Sequence, residues 1–200
     1  MLKSFFKFDC LKYNLYIDNI IPNMSSFAIN PTSHYKLYIY VDDSDLKKKY
    51  EEQIESRIEN NCSDSGFDLY TANKEVYKPG LITMINHKIK CKMVIQSDTG
   101  GEIPTGYLLH PRSSTFKKYQ LLMSNNTGII DQDYRGDIIA AMYCPIGEAD
   151  FKFYYMGMLN SNLNKNIENK LDIYTRIVQI CAPNYRPFKV EIANELDDTN

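Results

Sequence analysis

From Gly66 onward the chain consists of short apolar runs separated by turn signals, among them Lys78-Pro79-Gly80, Thr99-Gly100-Gly101 and Pro145-Ile146-Gly147. Runs so closely punctuated cannot extend into helices, and their number predicts an all-β sandwich, barrel or jelly roll. Upstream, Tyr35 to Val41 alternates and is rich in aromatic and β-branched residues, as a strand opening the domain would be. Between the two lies one segment of different periodicity. Leu46, Tyr50, Ile54 and Ile58 recur every fourth residue in a Lys- and Glu-rich run, behind the N-cap candidates Asp42-Asp43-Ser44-Asp45. This predicts one helical segment over 44–60, its charges forming a solvated face. The stretch Ser161 to Lys170 is Asn- and Lys-rich and lacks an apolar period. It is expected to belong to a long surface loop, 156–174, inserted between two strands.

The chain has 200 residues, 44% of them hydrophobic, which suits one domain with an adequate core. That domain is expected over 34–200, preceded by an extension, 1–33, that mixes aromatics with Lys and Asp. Such a mixture lacks the clean apolar stretch of a signal peptide, and its acids are unusual for a transit peptide. A cytoplasmic or nuclear location is expected, with organelle targeting by the extension as the alternative. The net charge of −2 and pI near 5.9 provide no broad basic field, so no binding to bulk nucleic acid is expected. No run approaches the roughly 18 apolar residues of a helical membrane span, and no membrane partner is expected. The five cysteines form no Cys-x-x-Cys pair and read mostly as reduced, buried thiols.

Four blocks combine turn residues with polar side chains. Ser65 to Tyr70 places a Gly before an acid at the start of a strand. His110-Pro111-Arg112-Ser113-Ser114-Thr115 joins a rigid Pro to a guanidinium and three hydroxyls, a donor set suited to phosphate oxygens or to a capped helix start. Met123 to Gly136 reads as a β-hairpin: Asn125 to Gly128 tolerates positive φ, Ile129-Ile130 is strand material, and Gln132 to Gly136 forms a second turn. Asp131 and Tyr134 would then sit at its mouth. Arg176 to Ile180 is a strand with Arg176 and Gln179 projecting between apolar neighbours.

In this order the blocks resemble motifs one to four of the trimeric dUTPase (deoxyuridine 5′-triphosphate nucleotidohydrolase) family. Gly66-Phe67-Asp68-Leu69 is similar to its first motif and Pro111-Arg112-Ser113-Ser114 to its second. Gly128-Ile129-Ile130-Asp131-Gln132-Asp133-Tyr134-Arg135-Gly136 follows its third nearly letter for letter. The resemblance implies a distorted jelly roll and a homotrimer with active sites between subunits. It also implies Mg²⁺-dependent hydrolysis of dUTP to dUMP and pyrophosphate by water attack on the α-phosphorus, which would limit uracil in DNA and supply dUMP for thymidylate synthesis. Carried over by position, Asp131 would activate the water. Tyr134 would pack under the deoxyribose and exclude a 2′-hydroxyl. Backbone groups from Asn125 through Gly128, Ile129 and Ile130 would read the uracil edge. Arg112, Ser113, Ser114 and Gln179 would hold the phosphates, and Asp68 would reach Mg²⁺ through water, the ion being held mainly by the phosphates.

Two departures qualify the resemblance. Tyr174-Thr175 precedes Arg176 where the family has Gly-Asp, and the insertion takes the place of a tight turn. The family's Gly-rich fifth motif, whose Arg contacts phosphates and whose Phe stacks on uracil, is not found up to Asn200, although Glu195 to Thr199 resembles the segment before it. Activity of these residues alone is therefore expected to be impaired. Two alternatives remain open: a non-catalytic dUTPase-like nucleotide-binding or regulatory protein, and a dCTP deaminase-type enzyme, from which the Asp131-x-x-Tyr134 pairing points away.

Overall fold

The computed structural model describes residues 34–97, 100–147 and 168–197. The first 33 residues lie outside the described residues, as do most of the expected insertion and the last three positions. The all-β expectation holds, with strands dominating throughout. Strand β1 (His34–Tyr40) alternates as its sequence demands, with Tyr35, Leu37 and Ile39 buried and Lys36 and Tyr38 facing out. It pairs antiparallel with β5 (Lys90–Gln96) and parallel with β13 (Phe188–Ile192), so the first and last described strands are neighbours. With β6 (Glu102–Thr105) they form a sheet of order β13-β1-β5-β6.

A second four-stranded sheet positions the chemistry. Its order is β2 (Gly66–Tyr70), β12 (Arg176–Cys181), β7 (Tyr107–Pro111) and β9 (Gly128–Ile130). Smaller sheets join β4 (Ile82–Asn86), β10 (Ile139–Tyr143) and β8 (Leu122–Met123), and pair β3 (Glu75–Tyr77) with β11 (Asn169–Leu171). Inward side chains from all four sheets, including Leu37, Phe67, Leu69, Ile85, Met142, Leu171 and Ile180, form one hydrophobic cluster.

Helix α1 (Ser44–Glu59) is capped by Asp43, whose carboxylate accepts from the Leu46 amide at 2.7 Å. Leu46 and Tyr50 are buried, but Ile58 is 70% exposed. Residues four apart precess by ~40° per step on a helix of 3.6 residues per turn, so the apolar stripe has rotated out of the core by Ile58. A second, short helix, α2 (Thr115–Tyr119), follows the Pro-Arg-Ser-Ser block, in keeping with the helix start that block also suited, and α1 is the one substantial helix among the described residues. The block therefore leads directly into a helix. Ser114 makes no side-chain cap bond, and Thr115 instead donates its hydroxyl to the Ile177 carbonyl at 2.6 Å.

The insertion expected over 156–174 is also corrected at its C-terminal end. Residues 169–171 are strand β11, and Leu171 is buried. A tight turn does precede Arg176: the Thr175 amide donates to Asp172 O at 3.3 Å, and Thr71 Oγ1 donates to the same carbonyl at 2.8 Å. A single apolar residue paired across to β3 suffices to fix this strand, a long-range contact that local composition does not reveal.

His87 is fully buried between β4 and β5. Its Nδ1 lies 2.8 Å from the Tyr70 carbonyl, to which it donates, while Nε2 has no partner. Burial pushes its pKa down to about 4 from the ordinary 6.5. Because the folded value is depressed, the unfolded chain binds the proton first as pH falls, and stability is lost between about pH 6.5 and 4. The full loss from this group is about 3 kcal/mol. Thermal melts of wild type and His87→Gln across that window are expected to converge as pH falls, with the wild type showing the steeper decline.

Candidate active site

Asp68 projects from the middle of β2 into a polar cleft of ≈ 670 Å³ also lined by Arg112, Ser113, Arg176 and Gln179. Its carboxylate accepts from Arg112 Nε at 2.6 Å and pairs with Arg176 Nη1 at 3.3 Å. Register explains the convergence. Asp68 lies opposite Gln179, which lies opposite His110, so the three strands carry their polar residues in one row ending at Pro111-Arg112. A bulge in β12 shifts the pairing between Arg176 and Val178. The Ile177 carbonyl accepts from both the Arg112 amide, at 3.0 Å, and Thr115 Oγ1. The bulge thus fastens the Arg112 segment to the strand beside it. At Gly66 an added Cβ would fall 2.0 Å from Gln179 Oε1, so only glycine leaves Gln179 its place in the cleft.

Asp131 lies elsewhere. It is exposed at the end of β9, and with Ile129, Ile130, Gln132, Gly106 and Tyr107 it lines a separate cleft of ≈ 670 Å³. The Asp131 carbonyl accepts from the Tyr134 amide at 3.1 Å, forming the turn expected there, and Tyr134 Oη donates to Asp137 O at 2.9 Å. Gly136 is confined by this arrangement, since a Cβ there would meet Tyr134 Oη at 2.5 Å. Arg135 donates to the carbonyls of Gln132 and Tyr134, at 2.8 and 3.0 Å, and bridges to Asp197 O at 3.2 Å.

The hairpin reading of Met123 to Gly136 needs correction. β8 and β9 do not pair with each other: β8 pairs with β10, and β9 with β7. Residues 124–127, with Asn126 at φ 57°, therefore carry the chain from one sheet to another. Met123 is buried whereas Ile129 is 78% exposed, so packing of the flanking residues, rather than the turn, selected the partners.

The structure thus groups Asp68, Arg112, Ser113 and Gln179 in one cleft and Ile129, Ile130 and Asp131 in another. Ser114, Gly128 and Tyr134 are chain neighbours of these lining residues without lining the clefts themselves, and Asn125 lies between Ser124 and Asn126, which line a third cleft with Pro111 and Met123. Arg112 follows β7 at its Pro111 end, whereas Asp131 follows Ile130, which pairs with Tyr107 at the other end of β7, so the two groups lie at opposite ends of adjacent strands and line separate clefts. Sequence reasoning missed the wall of the first cleft formed by α1, through Glu52, Gln53, Ser56, Arg57 and Asn60. The charge run concealed it, since a solvated helix face and a cleft wall have the same composition. Among the described residues no group of three His, Cys, Asp or Glu could hold a metal ion.

No protein-family model matches the chain. Among curated proteins, it is 32% identical over 94 residues to the SPbeta prophage-derived deoxyuridine 5′-triphosphate nucleotidohydrolase YosS of Bacillus subtilis, covering 46% of this chain and 59% of that protein. The Corynebacterium jeikeium protein called deoxyuridine 5′-triphosphate nucleotidohydrolase is 36% identical over 78 residues, covering 38% of this chain and 44% of its own length. Its counterpart in Escherichia phage T5 is 29% identical over 110 residues, covering 54% and 61%. By sequence, the chain is similar to dUTPases over these segments. It spans less than two thirds of these dUTPases' own lengths. A solved dUTPase from Streptococcus mutans matches with 23% identity and a TM-score of 0.38, covering 58% of this chain and 75% of that one.

Proposed function

We propose that this protein hydrolyses dUTP to dUMP and pyrophosphate at sites shared between subunits of a homotrimer. The observation that carries the reading is the division of the family's polar residues between two clefts on one sheet. A site needing both halves is completed when the Asp131 cleft of one copy faces the Arg112 cleft of another. The outer face of the β4-β10-β8 sheet favours assembly. Ile82, Met84, Leu122 and Ile139 are each more than 40% exposed and lie side by side through their strand register. Such a patch is unusual on a monomer.

In the first cleft, Arg112 and Ser113 would donate to phosphate oxygens, with Gln179 Nε2, now 3.4 Å from Pro111 O, adding a third donor. The guanidiniums of Arg112 and Arg176 already gather on one carboxylate, and a triphosphate would share them. Asp68 fits a water-mediated role toward Mg²⁺. Both its oxygens are engaged by arginines, and one carboxylate plus substrate phosphates is a usual donor set for this ion. When bound, the ion would neutralise phosphate charge. In the second cleft, the exposed Asp131 carboxylate would take the proton from the attacking water. The Tyr134 ring, fixed through its hydroxyl to Asp137 O, would stand against the sugar.

The test is pyrophosphate release from dUTP, dTTP, UTP and dCTP, with ammonia release from dCTP measured alongside. Release from dUTP alone is the expected result. Equal rates on dUTP and UTP would remove the sugar-sensing role of Tyr134, and ammonia from dCTP would replace the reading with a deaminase.

A further inference from the structure

Among the described residues β2 is the outer strand of its sheet, pairing with β12 on one side, and it carries Asp68. The backbone groups facing away from β12 are met by side chains of α1 rather than by another strand. Tyr50 Oη accepts from the Tyr70 amide at 3.0 Å, Gln53 Nε2 donates to Asp68 O at 3.2 Å, and Arg57 Nη1 donates to Gly66 O at 3.0 Å. Positions 50, 53 and 57 fall within about 60° of one another around a helix of 3.6 residues per turn, whereas 66, 68 and 70 repeat every second residue along a strand. The two periods meet three times in succession, with chain directions opposed. Arg57 Nη2 also donates to Asp64 O at 3.3 Å, and its guanidinium lies 5.7 Å from the Phe67 ring. Tyr50 stacks on Phe67 at 5.9 Å.

We propose that Gln53 and Arg57 are positioning residues for the phosphate cleft, forming a side-chain ladder that holds the strand presenting Asp68 to Arg112 and Arg176. This rests on the proposed function for its catalytic consequence, but not for its structural one. An outer strand paired on one side only is free to fray, and displacement of Asp68 would loosen both arginines of the cleft. Both residues stand in the cleft wall, and each is anchored there by donating to backbone carbonyls of the β2 segment, so the role assigned to them is to place that strand. A helix placed here supplies what a further strand would, while leaving the cleft open at the side chains of β2.

The test compares wild type with Gln53→Met, Arg57→Met and Arg57→Lys by amide hydrogen exchange and by dUTP turnover. Exchange in the segment 66–70 is expected to rise at least about tenfold in both Met variants while 107–111 and 128–130 are unchanged. kcat should fall about tenfold, as when outer partners of a site are removed. The ratio of dUTP to dTTP turnover, set at the distant Asp131 cleft, should not move, and Arg57→Lys should recover much of the loss. Unchanged exchange at 66–70, or a rise shared equally by all strands, would overturn the proposal, as would raised exchange with full kcat. If wild type turns over no dUTP, the proposed function fails, and exchange at 66–70 alone decides whether the ladder holds the strand.

Discussion

Asp131→Asn is expected to lower dUTP turnover by on the order of 10²–10⁴-fold, the range associated with loss of a positioned general base. Stability should not change, because the Asp131 side chain is exposed and the turn uses only its backbone carbonyl. Calorimetry with a non-hydrolysable dUTP analogue should give nearly wild-type affinity, separating loss of chemistry from loss of binding. A rate within about threefold of wild type would remove Asp131 from its role.

The same variant tests the shared site. Arg112→Gln should be inactive through the opposite cleft, where it removes the shorter of the two contacts to Asp68. Mixing the two inactive proteins under conditions that allow subunit exchange should restore about a quarter of wild-type activity, since one in four ordered pairings in a cyclic assembly joins two intact halves. No recovery after verified exchange would place each site within one chain.

The largest effect on stability is expected at Phe67. Its side chain is fully buried on β2 between the Tyr50 ring and the core, opposite Ile180. Phe67→Ala should cost about 3–5 kcal/mol through lost transfer energy and the cavity left behind. That is a large share of the roughly 5–15 kcal/mol available to a domain. The urea midpoint should fall by about 1–2 M. Ile129→Ala provides the contrast: at 78% exposure it should move the midpoint of the isolated chain little. A Phe67→Ala midpoint equal to wild type would mean that β2 is held by the helix ladder without help from the core.

The ladder and the core act on the same strand from different sides. Phe67 and Leu69 point into the core, where Phe67 also stacks on Tyr50 of α1, while Asp68 turns toward the cleft and the Gly66 and Asp68 carbonyls and the Tyr70 amide bond to α1 side chains. Loss of the inward contacts should therefore appear in global unfolding, and loss of the outward ones in local exchange and turnover. This division gives each set of variants its own measurement.

The amino-acid sequence alone determined the strand-rich class, the start of α1 and the turn at Asp131 to Tyr134. Each follows from local physics: alternation, a capping carboxylate, and residues that tolerate tight backbone. Arg112, Ser113 and Ser114 were legible as a phosphate-donor block from their types, whereas Asp68 and Gln179 joined them only through the resemblance to the dUTPase motifs. Only the tertiary structure decided that Met123 and Gly128 join different sheets, since strand partners are chosen by burial across long separations. It alone disclosed strand β11 and the cleft wall on α1. Gln53 and Arg57 resemble any solvated helix residues until β2 lies beside them, because a hydrogen bond to a distant carbonyl leaves no periodic trace in the chain that makes it.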